Sequence, residues 1–192
     1  MHAVAKSGPG HDTLVGVLGA KPTRSWKGGA ALAKEFLLVD GYNIIFAWDE
    51  LKALAAESLE AARQSLADVL SNYQGYRKCG IILVFDAYKV KGNPGSVEKY
   101  KNIHIVYTKE AETADAYIEK ATYDMRKQYR VRVATSDGME QLIILGHGAT
   151  RIPANIFRAE VQNTHTEIQD IVQKSRFRAL KGSTIREMTN KK

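Results

Sequence analysis

Cysteine is almost absent from this chain of 192 residues, and so are long apolar runs. Cys79 is the only cysteine, so no internal disulfide can form. That usage is typical of a reducing compartment, and we expect a cytoplasmic protein. No apolar run approaches the roughly 18 residues of a membrane-spanning helix. The N-terminal stretch also lacks the continuous apolar centre of a signal peptide. We therefore expect no association with a membrane.

Histidine is sparse as well, which bears on the kind of metal site the chain can hold. The histidines are His2, His11, His104, His147 and His165. They are scattered, and neither they nor Cys79 show the spacing of zinc ligands. Each is more typical of a surface or turn position, and the pattern argues against a zinc centre of histidine and cysteine.

The net charge of +7 is concentrated at the two ends of the chain. Residues 1–35 hold five lysines and arginines against two acids, and residues 174–192 hold seven against one. The part between them has 16 basic and 18 acidic residues, so a slightly acidic body carries two basic ends. Basic ends favour a polyanion such as RNA, although many proteins have basic tails without that role.

Composition divides the chain into three parts. Residues 1–34 are rich in Gly, Ala, Ser and Lys without a sustained period, and we expect a poorly ordered extension or a linker. Residues 35–180 have the patterning of one folded domain, a size that fits a single core. Residues 181–192 are expected to be a basic C-terminal tail.

Apolar strands alternate with amphipathic helices along the central part. Helical spacing and capping residues (Ser58 and Thr113) mark the helices. The alternation predicts an α/β fold: a three-layer α/β/α sandwich with a mainly parallel central sheet. The predicted strands are 36–40, 81–87, 103–108, 131–138 and 150–152, and the predicted helices are 58–77, 113–129, 139–146 and 154 to about 180.

Acidic residues follow several of these strands. Asp40, Asp86 and Asp137 end the runs "LLVD", "LVFD" and "ATSD", and Asp115 lies in the first turn of a predicted helix. Ligands bind outside the carboxyl ends of strands in an open parallel sheet, so the four acids are expected at one edge. Any one of them alone is more typical of a turn or cap, but a cluster of carboxylates favours a hard cation, Mg²⁺ or Mn²⁺.

The stretch "VDGYN" allows two interpretations. It is either a polar turn after a buried strand or the first corner of the acidic site. In the second case Gly41 lets the backbone turn sharply, and Asn43 holds the Asp40 carboxylate or a water.

Loops near these acids carry lysines and tyrosines. "KVKGNPGS" (89–96) is either an ordinary flexible loop or a flap in which Lys89 and Lys91 grip phosphate, and Lys109 invites the same two interpretations. Three tyrosines near strand ends are candidates either for stacking on bases or for core packing. They are Tyr42, Tyr88 and Tyr107.

The segments "LLVDGYNII", "VFDAYKVKG", "TKEAETADAYIEK" and "VATSDGMEQ", in this order and spacing, resemble the NYN domains of the PIN-like nuclease superfamily, and most closely their YacP-like bacterial branch. The resemblance covers about residues 36 to 178. It implies a PIN-like sandwich and a metal-dependent endoribonuclease. It also implies action on mRNA in association with the ribosome.

The resemblance assigns roles residue by residue. It implies that Asp40, Asp115 and Asp137 hold Mg²⁺ or Mn²⁺, and that Asp86 completes the acidic pocket or positions the attacking water. Asn43 matches the amide beside the first acid. Further residues matched to supporting positions are Glu112, Thr135 and Ser136. Hydrolysis in line would leave a 5′-phosphate and a 3′-hydroxyl.

Two other functions remain open at this point. One is a non-catalytic RNA- or ribosome-binding module whose acids are structural, which the basic ends fit equally well. The other is a phosphotransfer or phosphatase domain, which also places aspartates at strand ends. "VDGYN" lacks the second aspartate two residues on that a nucleophilic-aspartate phosphatase has, and the cluster of four acids favours the nuclease.

Overall fold

The computed structural model describes the backbone of residues 35–86, 95–136 and 148–189, and the side chains of these residues up to residue 175. Within these ranges six strands form one sheet and five helices accompany it. The strands are β1 (Glu35–Asp40), β2 (Gly80–Phe85), β3 (Ser96–Tyr100), β4 (Ile103–Tyr107), β5 (Arg130–Ala134) and β6 (Thr150–Ile152). The helices are α1 (Gly41–Ala47), α2 (Asp49–Glu57), α3 (Leu59–Arg77), α4 (Ala114–Met125) and α5 (Ala154–Thr189).

The sheet is mainly parallel, as predicted. Its strand order is β3-β4-β2-β1-β5-β6. Every neighbouring pair is parallel except β3 with β4, which is antiparallel. After β1 the chain forms β2, β3 and β4 on one side of β1, and it then returns to form β5 on the other side. The strand order therefore reverses between β1 and β5, where an open parallel sheet leaves a crevice for ligands.

Both faces of the sheet are covered, which gives the predicted three layers. Successive side chains of a strand point to opposite faces. Leu37 and Val39 of β1 belong to a core cluster with α1, α2, α3 and α5. Leu38, equally buried, points to the other face, where α4 packs on β1, β2 and β5. Strands buried on both faces read as continuous apolar runs, which is why "FLLV" and "IILVF" show no polar alternation.

The larger core is closed by aromatic side chains from two helices, α3 and α5, and from the residue that links α1 to α2. Phe157 of α5 is fully buried, and its ring lies 5.7 Å from that of Trp48 and 5.8 Å from that of Tyr73. The indole N–H of Trp48 donates to the carbonyl of Ala154 over 2.9 Å. These contacts attach the start of α5 to α3 and to the end of α1.

The predicted caps are confirmed. The Ser58 hydroxyl accepts from the amide of Ala61 at 3.2 Å, and the Thr113 hydroxyl accepts from Ala116 at 3.1 Å. The bounds of four elements differ from their predictions by two residues or more: β2 ends at Phe85, α4 ends at Met125, β5 ends at Ala134, and α5 continues to Thr189. The predicted helix at 139–146 and the predicted extension at 1–34 lie outside the described residues.

Helices α1 and α2 and strand β3 were not predicted. The chain passes directly from β1 into α1 at Gly41, without a connecting loop. A Cβ on Gly41 would lie 2.2 Å from Cε1 of Phe85, and close packing is therefore what requires glycine at this position. Strand β3 is an edge strand with exposed Glu98 and Lys99, and it lacks the apolar signature of the other strands.

None of the helices in the described ranges combines the length and the apolar character that crossing a bilayer requires.

Candidate active site

The carboxyl ends of β1, β2 and β5 meet at one edge of the sheet. Asp40 is the last residue of β1, Asp86 follows β2, and Ser136 follows β5 by two residues. The first turn of α4 brings Asp115 to the same place. The four side chains line one open cleft of about 360 Å³. The predicted convergence of Asp40, Asp86 and Asp115 is therefore present in the structure.

Asp40 lies in the cleft and also accepts two hydrogen bonds from Asn43. It is the N-cap of α1: its Oδ1 accepts from the backbone amide of Asn43 at 3.0 Å. Its Oδ2 accepts from the side-chain Nδ2 of the same residue at 2.9 Å. The carboxylate is 4% exposed and is fixed in one orientation by these two bonds. Each oxygen keeps a further lone pair for another partner.

Burial raises the pKa of Asp40 to about 6. Removal from water disfavours the charged form, and this is the largest cause. The two bonds from Asn43 act in the opposite direction but do not cancel it. The negative charges of Asp115 and Asp86 add to the rise. Asp40 therefore lies in a place where negative charge is poorly compensated by the protein itself.

Asp86 links the end of β2 to the beginning of α4. Its Oδ1 accepts from the backbone amide of Ala114 at 2.5 Å. The pKa of Asp86 is raised, first by burial and then by the charge of Asp115, against the bond from Ala114. Asp115 itself is exposed, one residue further along α4 than Ala114. The start of α4 therefore orients Asp86 through the amide of Ala114 and also places Asp115 in the cleft.

Asn43 and Ser136 connect the two strands on either side of the switch point. The Ser136 hydroxyl donates to Oδ1 of Asn43. Because that oxygen accepts, the Nδ2 group of Asn43 is directed at Asp40, and the amide has one orientation. A continuous chain of bonds therefore runs from Ser136 through Asn43 to Asp40.

The remaining lining of the cleft was not predicted as part of the site. It comes from α1, which contributes Tyr42, Phe46 and Ala47. The sequence contained a signal for it, because "YNIIFA" has Ile44 and Ile45 on one helical face and the other residues on the opposite face. Tyr42 is one of the stacking candidates that the sequence offers, and Phe46 is not.

The other predicted site residues lie either outside the lining of the cleft or outside the described part of the chain. Glu112 is half-buried and lies outside the lining of the cleft. Burial raises the pKa of the Tyr117 phenol, and the charge of Glu112 adds to the rise. Thr135 is fully buried, and its backbone amide donates to the carbonyl of Ile152 at 3.3 Å. Lys109 is exposed. Four candidate residues lie outside the described part of the chain: Tyr88, Lys89, Lys91 and Asp137.

A larger cavity of about 490 Å³ lies between α2, α3 and α5, and it shares no lining residue with the acidic cleft. Apolar side chains such as Leu51 and Val69 line much of it, and Arg158 at its wall is already paired with Glu50. It has no convergent carboxylates. We therefore place the candidate site in the smaller cleft, where groups with perturbed pKa values meet.

The oxygen donors of the cleft fit a hard divalent cation. They are carboxylates and an amide, the ligands that Mg²⁺ and Mn²⁺ prefer. A cation would also offset the burial that raises the pKa of Asp40 and the smaller repulsion from Asp115 and Asp86. Among the described residues no three His, Cys, Asp or Glu side chains are close enough to hold one ion together. Asp137 follows Ser136 directly and would have to complete the set.

The chain is similar in sequence to known proteins. A family model described as "YacP-like NYN domain" matches residues 37–192. The chain is 42% identical over 144 residues to a protein of Bacillus subtilis (strain 168) named "Uncharacterized protein YacP", covering 73% of this chain and 82% of the relative.

The fold is similar to a solved structure of Rae1 (YacP) from the same organism. The TM-score is 0.64 at 39% identity, covering 81% of this chain and 90% of that one. A structure of a single-substitution mutant of that protein gives the same TM-score and identity, over 73% and 82% of the two chains. The match to the family model and the identity to the relative together show that this chain belongs to the YacP-like NYN domain family.

Proposed function

We propose that the chain is a divalent-metal-dependent endoribonuclease that hydrolyses RNA at the acidic cleft. One observation carries the proposal: Asp40, Asp86 and Asp115, from three separate segments, face one open cleft at the switch point of a parallel sheet. Membership of the NYN family, which implies a PIN-like nuclease fold, supports the same reaction.

Asp40 and Asp115 would hold Mg²⁺ or Mn²⁺ together with Asp137. When bound, the ion supplies a water of lowered pKa and stabilises the charge that develops on the phosphodiester. The raised pKa of Asp40 supports this assignment, because a buried carboxylate beside two others gains most from a cation.

The protein's own groups prepare the site. Asn43 holds both oxygens of Asp40, and Ser136 fixes the amide of Asn43, so the first acid is oriented before any substrate arrives. Asp86 is oriented by the amide of Ala114 through Oδ1, which leaves Oδ2 to accept a hydrogen bond from an attacking water. Such preorganisation lowers the cost of reaching the reactive geometry.

RNA as the substrate is supported by charge and by family. The ends of the chain carry net charges of +3 (residues 1–35) and +6 (residues 174–192), which favour a polyanion. We extend the proposal to mRNA and to action at the ribosome on the family resemblance. Lys89, Lys91 and Lys109 are the proposed phosphate contacts.

The test compares cleavage of labelled single-stranded RNA by wild type, Asp40→Asn and Asp115→Asn in Mg²⁺, Mn²⁺ and EDTA. We expect the two variants to lose at least about a hundredfold in rate, the upper end of what loss of a supporting partner at a metal site costs. Asp124→Asn is the matched control, since Asp124 is an exposed acid on α4, nine residues beyond Asp115. Equal cleavage by all four proteins would refute the proposal.

A non-catalytic RNA-binding module is the second candidate, and the two basic ends favour it. It predicts binding that weakens steeply with salt, needs no divalent ion and is accompanied by no cleavage. Metal-dependent turnover by wild type alone excludes it.

A further inference from the structure

Phe46 is a large apolar side chain that α1 leaves exposed at the acidic cleft. It is 54% exposed, whereas Ile44 and Ile45 just before it are fully buried. Together with Asn43 it lines the cleft. A single exposed phenylalanine is ordinary on a protein surface. This one, however, is fixed in a polar cleft beside three carboxylates.

The ring of Phe46 packs against a second ring, which packs against a third. It is stacked with the ring of Tyr42, with centroids 6.3 Å apart and an angle of 27° between the planes. Tyr42 rests in turn on Phe85 at 5.1 Å. The hydroxyl of Tyr42 accepts from Nη1 of Arg63 at 2.8 Å, which holds the middle ring in position.

The helix that carries Phe46 is held at both ends. At the start, Asp40 caps α1 through the amide of Asn43. Just after its end, the indole of Trp48 donates to the carbonyl of Ala154 in a buried position. The exposed ring is therefore positioned before a ligand binds, and little side-chain freedom remains to be lost on binding.

We propose that Phe46, supported by Tyr42, is a stacking platform for an unpaired nucleobase of the RNA strand that enters the cleft. The inference rests on the proposed function and adds to it the class of substrate: single-stranded RNA, or a loop or bulge with a free base.

The chemistry of the cleft explains why such a platform is needed. Carboxylates repel the phosphates of RNA, so the cleft itself offers little attraction to the strand until a cation is present. A base stacked on Phe46 attracts the strand through a neutral group next to the acids. Stacking accepts every base, because each has a π-face. Within a duplex the base is paired and stacked on its neighbours, so double-stranded RNA cannot use the platform.

The experiment measures binding of a single-stranded RNA oligonucleotide that carries one 2-aminopurine at successive positions, in EDTA so that no cleavage occurs. Stacking of 2-aminopurine on an aromatic ring quenches its fluorescence. We expect wild type to quench at one or two positions. We expect Phe46→Ala to lose the quenching and to bind between about fivefold and about a hundredfold more weakly, the range for loss of one base–aromatic stack.

Three comparisons separate stacking from other effects. Phe46→Tyr and Phe46→Trp should retain binding and quenching, whereas Phe46→Leu, apolar but without a π-face, should behave like Phe46→Ala. Tyr123→Ala is the matched control, because Tyr123 is an aromatic residue of similar exposure (50%) on α4, outside the cleft lining. A fully paired RNA should bind wild type and Phe46→Ala alike.

The inference is overturned if Phe46→Ala or Phe46→Leu binds and quenches like wild type, if Tyr123→Ala weakens binding as much, or if wild type binds no single-stranded RNA. Its failure is distinguishable from failure of the nuclease proposal. Metal-dependent cleavage that Phe46→Ala leaves unchanged in KM and kcat refutes the platform alone. Quenching by a wild-type protein that never cleaves refutes the nuclease alone.

Discussion

Ser136 donates its hydroxyl hydrogen to Oδ1 of Asn43, joining two residues that are 93 positions apart in the chain. The bond crosses the switch point of the sheet, from the segment after β5 to the first turn of α1. Since Asn43 then donates to Asp40, the hydroxyl determines how the buried acid is oriented. Ser136 is thus a positioning residue that acts through Asn43.

Ser136→Ala should therefore lower the rate of RNA cleavage between about tenfold and about a hundredfold, as loss of a supporting partner at a metal site does. The loss should fall on kcat and leave KM for RNA nearly unchanged. Ser136→Thr, which keeps the hydroxyl, should restore most of the rate, and Ser65→Ala, on α3 at the other cavity, should have no effect. Steady-state kinetics and thermal midpoints check this. A Ser136→Thr variant as slow as Ser136→Ala would contradict the role of the hydroxyl.

The buried Asp40 carboxylate makes stability depend on pH. Its pKa is about 6 in the folded protein against 3.8 for the unperturbed group, so the folded state binds this proton more tightly than the unfolded chain. Stability from this group is therefore complete below about pH 4 and is lost as pH rises through 6. This difference in pKa corresponds to about 3 kcal/mol in the free energy of unfolding.

Asp40→Asn removes that cost together with one hydrogen bond from Asn43, which contributes about 1 kcal/mol. In EDTA at pH 8 we expect the variant to be more stable than wild type by about 1–2 kcal/mol, and the difference should vanish toward pH 4. Added Mn²⁺ should raise the thermal midpoint of wild type at pH 8 but not that of Asp40→Asn. Urea unfolding at several pH values measures the first effect. A variant less stable than wild type at every pH would show that Asp40 is not strained by its burial.

Much of the fold follows from apolar patterning. Strands such as "FLLVD" and "IILVF" are buried on both faces, and α3 and α4 have helical spacing with a hydroxyl cap at Ser58 and Thr113. Strand β3 could not be predicted in this way, because Ser96–Tyr100 is stabilised by pairing with β4 and not by burial of its own side chains. Only the position of β4 makes that segment a strand.

Some residues of the site can also be predicted from the sequence, and others cannot. Asp40, Asp86 and Asp115 are visible in the sequence, because each follows an apolar strand or begins a helix, and parallel strands bring their carboxyl ends together. Phe46 is not visible, because in "NIIFAW" it looks like one more core residue. It becomes a cleft residue only when α1 begins directly at Gly41 and turns Ile44 and Ile45 inward.

An ion cluster holds α5 to the sheet, away from the cleft. Arg132 of β5 donates to both oxygens of Glu160, at 3.2 and 2.6 Å, and the Tyr73 hydroxyl donates to the same carboxylate at 2.6 Å. Burial opposes the charge of Glu160, but the bonds from Arg132 and Tyr73 outweigh it and lower its pKa. Its contribution to stability is present above about pH 4.5 and is lost as pH falls through the lowered pKa.

Glu160→Gln should lower the free energy of unfolding by about 2 kcal/mol at pH 7, the range for hydrogen bonds to charged groups, and the difference should shrink in acid. Because the cluster lies outside the cleft, RNA cleavage well below the melting temperature should be unchanged. Glu119→Gln, an exposed acid on α4, should change neither quantity. A loss of activity without a loss of stability would show that α5 contributes to the site.

Gly41 and Gly75 form a matched pair that tests close packing against helix propensity. A methyl group at Gly41 would lie 2.2–2.8 Å from three ring atoms of Phe85, so Gly41→Ala must displace the ring that precedes Asp86. Overpacking of this kind costs about 1–3 kcal/mol, and the shift of Asp86 should also slow cleavage. Gly75 lies within α3, and the nearest neighbour of its added methyl group would be 3.9 Å away, so Gly75→Ala should stabilise the protein by about 1 kcal/mol. Urea unfolding of the two variants should therefore give changes of opposite sign. Stabilisation by Gly41→Ala would mean that Phe85 can move freely, and the ring stack beneath Phe46 would not be rigid.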